Sequence, residues 1–453
     1  MDLQDIAAIA IKAAKGEGAE EAEAYVSRSK AIIVYVDDSR IKSVESRTDL
    51  GLGMRTMKDQ RVGQSASFIT ADVDVSACAS SAVRSSVLVP QDRIFKHFPY
   101  PQKSQQQFSS VDRDIIDLDG EELADLVMSM VSSATAGHKV KVPNGLVRAS
   151  LVEAWLSNSN GTEVQRRNTG LYLHVTSMCT GGKRGEGAEL FFSSRLGQFQ
   201  PDALGRGLRT KALAASKARS FKGKRKMDVL VPPHELSELF HGSVDYALSA
   251  ENVNRRRSPW MGKIGQACAE SQVTLIDDPF DGRGLLGSAY DDEGTPTRRK
   301  VLVESGVLRG YLNDSYNAAM SSSEGTGNGL RRSTIEPMGQ YQMPVHISPL
   351  NLIMSPGSKK VEALVDEIDE GILVQKFSSP DVHPITGAFA LEVRCAHLIK
   401  KGEIEGTIDH CLLTGNMFEA LMNVRGVASD QVVSGPHILP TVCFSGLELV
   451  GSE

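Results

Sequence analysis

The side chains best suited to acid–base chemistry are concentrated on one predicted helix, over residues 234–250. In this segment Glu238, His241 and Asp245 lie at i, i+3 and i+7, so they fall within one strip of helix surface. The opposite face is apolar and carries Leu236, Leu239, Phe240, Ala247 and Leu248. A histidine between two carboxylates can transfer a proton or hold a cation. The simpler interpretation, which the usual exposure of charged residues favours, is a solvated polar face.

The local motifs for metal or nucleophilic chemistry are incomplete. An HExxH zinc site needs two histidines one helical turn apart, but Glu238 stands where the second histidine should follow His234 and Glu235. His410 adjoins Cys411, yet no nucleophile signature such as GxSxG accompanies the pair. The GTGNG stretch over 325–329 lacks the Lys-Ser/Thr of a phosphate loop. These patterns exclude an HExxH site and give only weak support to the other two.

Runs of strands with a few separated helices must position these residues. Short strands with tight turns over 21–68 predict an antiparallel meander, and alternating segments over 147–194 predict long hairpins. A helical stretch over 203–221 precedes a basic run, and we place a domain boundary there. The N-terminal domain (1–222) is predicted to be an antiparallel sheet flanked by helices. The C-terminal domain (223–453) is predicted to be a β-rich mixed domain around the His241 helix. The predicted fold class is therefore α+β rather than a βαβ winding.

Composition and charge narrow the class of protein. The chain has 453 residues, 41% hydrophobic and 23% charged, which is typical of a globular protein with two large domains. Its 50 Lys and Arg against 56 Asp and Glu give a net charge of -6, which argues against a nucleic-acid partner. The six dispersed cysteines favour reduced cytoplasmic thiols. No stretch approaches the roughly 20 apolar residues of a membrane span, and the acidic N-terminus is unlike a secretory signal. We expect a soluble cytoplasmic protein with no membrane partner.

An ordered series of segments in the second half resembles the TldD/PmbA family, once called modulators of DNA gyrase. These segments are RRSPWMGKIGQ, LIDDPF, GLLGSAYDDEGTPTRRKVLVESGVLRGYLNDSYNA, GTGNG, ITGAFALEVRCAHLIKKGEI, TIDHCLLTGNMFEAL and PHILPTVCFSGLELVG. LGLGMRT and RVGQSAS in the first half look like the family's paired glycine-bearing strands. The resemblance covers essentially the full length, and an ordered series is far more specific than a single glycine motif.

The resemblance implies one of two kinds of subunit. TldD-type subunits resemble metallopeptidases with an HExxxH helix and a later cysteine as zinc ligands, whereas PmbA-type (TldE) subunits lack those ligands. The HExxxH positions read His241, Gly242 and Tyr246 here, so only the first histidine is kept. The cysteine position falls in 388–390, which has no cysteine, and Cys395 is displaced along the chain. A catalytic zinc needs three protein ligands and a base. The resemblance therefore implies a PmbA/TldE-type chain with no metal and no cofactor of its own.

The implied function is that of the non-metal subunit of a TldD–TldE-type peptidase, which degrades or matures unfolded or modified peptides. Zinc is expected in a TldD-type partner, with which this chain would form a heterodimer, or a homodimer when it is alone. An extended peptide can add to a sheet edge through main-chain hydrogen bonds. Candidate substrate or interface residues are His241, Tyr246, Asp314, Tyr316, Thr326 and Asn328. For each of them a turn or packing role is the alternative.

Two alternative functions stay open. One is an autonomous hydrolase that acts through His241 with Asp245 or the displaced Cys395. The other is a regulatory binder of DNA or a topoisomerase, as the older family name suggests. Binding to DNA would be salt-sensitive, and the net charge of -6 argues against it.

Overall fold

The computed structural model describes residues 2–181 and 183–452, and its first half is built on a six-stranded antiparallel sheet. The strands are β1 (Glu21–Asp37), β2 (Arg40–Lys58), β3 (Arg61–Phe68), β4 (Val140–Asn158), β5 (Glu163–Cys179) and β6 (Glu186–Ser193). Their order in the sheet is β3-β2-β1-β4-β5-β6. The helices are α1 (Leu3–Gly16), α2 (Asp72–Ser86), α3 (Arg113–Asp117), α4 (Gly120–Thr135) and α5 (Pro201–Ala215). The predicted meander with flanking helices is confirmed.

The strands are longer than the sequence pattern predicts. Short strands are expected over 21–68, but residues 21–37 form one strand of 17 residues, β1. It pairs with β2 on one side and β4 on the other along nearly its whole length. Continuous pairing on both sides satisfies the backbone through the polar positions that suggested a break. A two-residue turn joins β1 to β2, with Asp38 and Ser39 at φ of 43° and 64°. This left-handed pair matches the twist of a hairpin.

The second half contains two further mixed sheets and short helices. Its strands are β7 (Arg219–Ser220), β8 (Lys224–Val231), β9 (Leu275–Asp277), β10 (Lys300–Glu304), β11 (Val307–Leu308), β12 (Gly329–Leu330), β13 (His346–Ile347), β14 (Leu352–Met354), β15 (Glu370–Ser378), β16 (Ala388–Lys400), β17 (Glu403–Asp409), β18 (Cys411–Asn416), β19 (Val424–Val427), β20 (Val432–Ser434), β21 (His437–Leu439) and β22 (Val442–Val450). Its helices are α6 (Pro233–Gly242), α7 (Val244–Leu248), α8 (Ala250–Asn254), α9 (Ser315–Ser321), α10 (Val361–Asp366) and α11 (Met417–Leu421). Pairing of β15 with β16 closes β15-β8-β22-β18-β16 into a small barrel, and β11-β10-β9-β14-β21-β20 form a second sheet.

This arrangement confirms the α+β class. A large core of buried side chains, including Phe240, Trp260 and Phe444, lies between the barrel, the second sheet and α6. The strands β7 and β8, on either side of position 222, both belong to the barrel sheet. The boundary at 222 therefore stays a prediction.

The helices do not suggest a membrane span. The longest, α4, has 16 residues, and among residues 2–181 and 183–452 none combines the length and apolar character that crossing a bilayer requires.

The single helix predicted over 234–250 is wrong, because the structure divides it into α6, α7 and α8. The first break falls at Ser243, whose backbone (φ -132°, ψ -65°) is not helical and whose hydroxyl donates to the Leu239 carbonyl oxygen at 2.5 Å. A glycine followed by a serine that bonds back to the preceding turn favours such an end. The apolar period continues across the break because α7 buries Val244, Ala247 and Leu248 in the same core.

A buried ionic cluster joins the two halves of the molecule. Arg55 on β2 donates to Glu23 on β1 at 2.7 and 2.8 Å and to Glu293 of the second half at 3.2 Å. Arg331 donates to the same Glu23 at 3.1 Å. These side chains are at most 10% exposed, so each charge depends on its partner in place of water. The pairing fixes the first sheet against residues 291–332.

Candidate functional site

The predicted acid–histidine strip lies at the break between α6 and α7. His241 is the penultimate residue of α6 and its side chain is 78% exposed, whereas Asp245 on α7 is largely covered. The two side chains meet at 3.4 Å between His241 Nδ1 and Asp245 Oδ2. Glu238 is exposed on the same side of α6 and acts on His241 as a nearby charge.

A second histidine, His437 on β21, completes the cluster from the other end of the chain. Its Nε2 lies 3.1 and 3.2 Å from the two carboxylate oxygens of Asp245, and its ring is 0% exposed. Its Nδ1 lies 2.7 Å from the Ser237 hydroxyl. Sequence reasoning missed His437, because it stands alone in the sequence and no spacing links it to a residue 192 positions away.

Burial and the two histidines have opposite effects on the pKa of Asp245. Burial alone would raise the pKa of this carboxyl, but the charge and hydrogen bonds of His437 and His241 lower the pKa to about 2. The hydrogen bond to Asp245 in turn raises the pKa of His241, against the effect of burial, and the charges of Asp245 and Glu238 add to the rise. Asp245 is therefore ionised, and it holds the His241 ring through a hydrogen bond.

Ser237, His437 and Asp245 have the residue types of a serine hydrolase triad but not its accessibility. Ser237 is 5% exposed, and its hydroxyl donates to the Ser434 carbonyl oxygen at 2.9 Å. A nucleophilic serine must instead give its proton to the imidazole and reach a substrate carbonyl. The arrangement is that of a buried polar contact between α6 and the β20–β21 hairpin.

A catalytic zinc does not fit the residues at the predicted metal position. Gly242 has no side chain to offer, Tyr246 has a phenol in place of an imidazole, and Asp245 is engaged by two histidines. Among residues 2–181 and 183–452, no three His, Cys, Asp or Glu side chains are grouped so as to hold a metal ion.

Cys395 does not supply the missing ligand. Its thiol donates to Gln375 Oε1 at 2.9 Å, and burial together with the charge of Asp409 raises the pKa of the thiol to about 12. A thiol with this pKa is neutral at physiological pH and is a poor nucleophile.

The remaining predicted residues lie in three separate places. Thr326 and Asn328 lie in the interior, where the Thr326 hydroxyl donates to Asn328 Oδ1 at 2.8 Å and Asn328 Nδ2 donates to Asp277 at 2.8 Å. Asp314 and Tyr316 instead line a cleft of about 340 Å³ between the two halves. Tyr246 is half-buried beside Asn252, which donates to its carbonyl oxygen. The structure therefore does not bring the six predicted residues into one site.

A larger cavity, of about 550 Å³, lies between β5 and β6 of the first half and β15 and β16 of the second. His174 and Glu186 line it from the first half, and Lys376, Arg394 and Asp409 from the second. The lining strands come from both halves of the chain, so the cavity depends on how the two halves are joined.

Two family models match the chain with this fold. The model described as "PmbA/TldA metallopeptidase C-terminal domain" matches residues 224–451, and "PmbA/TldA metallopeptidase domain 1" matches residues 22–86. The fold and the matched segments define a metallopeptidase-related protein. The chain belongs to the PmbA/TldD family.

Individual relatives agree with this assignment. Protein MJ0231 of Methanocaldococcus jannaschii is 30% identical over 449 residues, which cover 98% of this chain and 99% of that protein. The metalloprotease TldD homolog of Buchnera aphidicola subsp. Schizaphis graminum is 32% identical over 194 residues, which cover 42% of this chain but only 38% of that homolog. The crystal structure of TldE from Thermococcus kodakarensis superposes with a TM-score of 0.88 at 23% identity, over 99% of each chain. That structural likeness shows the same fold.

Proposed function

We propose that this chain is the non-metal, TldE-type subunit of a peptidase complex, and that a TldD-type partner holds the catalytic zinc. One observation carries the proposal. In a chain of a metallopeptidase family, the donors that remain at the expected metal position, His241 and Asp245, are bonded to each other, and Asp245 is also bonded to His437. The subunit therefore contributes binding surface rather than the hydrolytic step.

The substrate is an unfolded or modified peptide in an extended conformation. β6 is the outer strand of the six-stranded sheet, and Glu186, Gly187 and Ala188 of this strand line the 550 Å³ cavity. An extended chain can pair with an outer strand by main-chain hydrogen bonds, which need no particular sequence. We place the complex in the cytoplasm, where the six buried free cysteines would stay reduced.

The proposal is tested by mixing the purified chain with the TldD-type subunit from the same organism. Size-exclusion chromatography with light scattering measures the complex, and casein cleavage is measured for each subunit alone and for the mixture. We expect a heterodimer, and cleavage in the mixture that far exceeds that of either subunit alone.

Two variants of this chain distinguish the proposed role from the alternative functions. His241→Ala should leave cleavage by the mixture within about twofold, because this exposed side chain carries no catalytic metal here. Ala188→Arg, which puts a bulky charge on the cavity strand, should lower cleavage without abolishing the heterodimer. Cleavage by the isolated chain that His241→Ala abolishes would favour an autonomous hydrolase instead. Salt-sensitive binding of duplex DNA would favour the regulatory role.

A further inference from the structure

The cleft between the two halves has the features of a binding site for a charged group. Its volume is about 340 Å³, and β2 and β3 of the first half face α8 and α9 of the second across it. Arg55, Glu293 and Arg331 of the ionic cluster line it, together with Asp314 and Tyr316. It is separate from the 550 Å³ cavity, with which it shares no lining residue.

Two buried polar side chains in this cleft have an atom without a partner. Asp314 is 8% exposed, and its Oδ1 accepts both hydrogen bonds that the carboxylate receives, from the Asn317 backbone N–H at 2.7 Å and from Asn317 Nδ2 at 2.9 Å. Its Oδ2 accepts none from the described residues. Arg331 is 4% exposed, and its Nε–H likewise has no acceptor in the described part of the chain. Buried polar atoms in folded proteins normally have partners, so Arg331 Nε points to a missing acceptor. Asp314 Oδ2 is not fully buried and can accept a hydrogen bond from a donor in the cleft.

The charges that face the cleft favour a cationic donor. Each guanidinium there already has a carboxylate partner, since Arg55 pairs with Glu23 and Glu293, Arg331 with Glu23, and Arg255 with Glu251. Asp92 and Asp314 are the additional carboxylates that line the cleft. Burial and the charge of Glu293 raise the pKa of Asp314 to about 6. An ammonium group beside Asp314 would favour the ionised carboxylate and supply the missing countercharge.

Part of the wall of the cleft is apolar. It is formed by Val62, Phe95, Met320, Pro344 and Val345. Such a wall accommodates an aliphatic side chain next to the charged group.

We propose that this cleft binds the N-terminal end of a peptide: its α-ammonium group on Asp314, its first carbonyl oxygen on Arg331, and its first side chain against the apolar wall. The identity of the ligand as a peptide rests on the proposed function. The cleft would orient an extended substrate by its end and leave the remainder of the chain free to reach the partner subunit.

Titration calorimetry on the purified full-length chain, without a partner, tests this assignment. The probes are Leu-Ala-Gly-Ala amide, the same peptide with an N-acetyl group, and N-acetyl-Lys-Ala-Gly-Ala amide, whose ammonium group is on a side chain. We expect the free α-ammonium to improve affinity about tenfold over both acetylated peptides, the usual effect of one charge-assisted hydrogen bond. Affinity for the first peptide should rise between about pH 5 and pH 7.5, as Asp314 ionises.

Asp314→Asn is the matched variant, because asparagine keeps the oxygen that caps α9 but loses the charge. It should lower affinity for the free peptide about tenfold and flatten the pH dependence. Asp119→Asn, the same change at the exposed cap of α4, should alter neither. Equal binding of the free and acetylated peptides, equal binding of the acetylated lysine peptide, or an unaffected Asp314→Asn variant would overturn the assignment. Because these binding experiments contain no partner subunit, their result does not depend on the result of the cleavage test with the partner.

Discussion

Asp245 contacts both histidines of the candidate site. Its carboxylate lies between the exposed His241 and the fully buried His437, and it binds both. Helical spacing predicted the contact with His241, because residues four apart on a helix meet even across the break at Ser243. The contact with His437 is set by how β21 packs on α6, and a single sequence contains no signal for such a tertiary contact.

Asp245→Asn should lower the pKa of His241. The hydrogen bond that His241 donates to Asp245 is the largest cause of the raised His241 pKa, and the charge of Asp245 is a further one. NMR titration of the histidine ring protons measures the shift, with His241→Ala assigning the resonance. Glu238→Gln is the matched control and should shift the pKa less, because Glu238 is the smallest of the causes that raise it. An unchanged titration in Asp245→Asn would show that the two side chains do not meet in solution.

The same pair makes the stability difference between wild type and Asp245→Asn depend on pH. The raised pKa of His241 contributes stability below its unfolded value of 6.5, and this contribution is lost as pH rises through the folded pKa. The lowered pKa of Asp245 contributes stability above its unfolded value of 3.8, and this contribution is lost as pH falls through about 2. Urea unfolding should therefore show the largest difference between roughly pH 4 and pH 6.5. A difference that is constant across this range and beyond it would contradict the assignment.

At the scale of elements, the sequence predicted the type of most helices and strands but not where they end. The helix α4 begins at a capping box of Asp119 and Glu122, a pattern that is visible in the sequence. The helix predicted over 203–221 ends at Ala215, and 219–220 instead pair with β17. Strand pairing by distant residues can override local helical spacing, and that competition is not visible in one segment.

Gly205→Ala should destabilise the packing of α5 on α4. In an isolated helix this change is stabilising, by up to about 1 kcal/mol. Here the new methyl group would lie 2.2 Å from the Met130 carbonyl oxygen, so the helices must separate. We expect a loss of about 1–3 kcal/mol in the free energy of unfolding, measured in urea.

Gly207→Ala, two residues along the same helix, is the control. Its methyl group would meet only the end of the Glu189 side chain, which can shift together with its partner Lys211, so stability should be unchanged or slightly higher. Equal effects of the two substitutions would mean that α4 and α5 do not pack as closely as described.

At the scale of the whole molecule, the segments that revealed the family explain how the two halves are joined. Glu293 of the AYDDEGTP segment binds Arg55 of the first half, and Asp292 of the same segment lies 3.6 Å from Arg166 on β5. Within the second half, Asp292 binds Arg332, and Asn328 of the GTGNG loop binds Asp277. Sequence reasoning treated Thr326 and Asn328 as candidate binding residues, whereas their hydrogen bonds place them in the interior. It did not predict the pairing of Arg55 with Glu293, because contacts over 238 residues leave no local pattern.

Glu293→Gln should destabilise the molecule by about 3 kcal/mol, because it leaves Arg55 and Arg331 to share the single carboxylate of Glu23 away from water. Urea unfolding followed by tryptophan fluorescence reports on both halves, since Trp155 lies on β4 and Trp260 in the second core. Glu304→Gln removes an exposed pair with Arg309 and should cost less than about 1 kcal/mol. Equal, small effects of both variants would show that the cluster does not hold the halves together.

The zinc content of the purified chain tests whether the catalytic zinc is held by the partner subunit and not by this chain. Elemental analysis should be performed on the isolated chain and on its complex with the TldD-type subunit, after dialysis against a weak chelator. We expect the isolated chain to retain no zinc. The complex should contain zinc, which is lost when the partner subunit is removed. Stoichiometric zinc in the isolated chain, released by His241→Ala, would contradict it and would identify the His241 cluster as a metal site of this subunit.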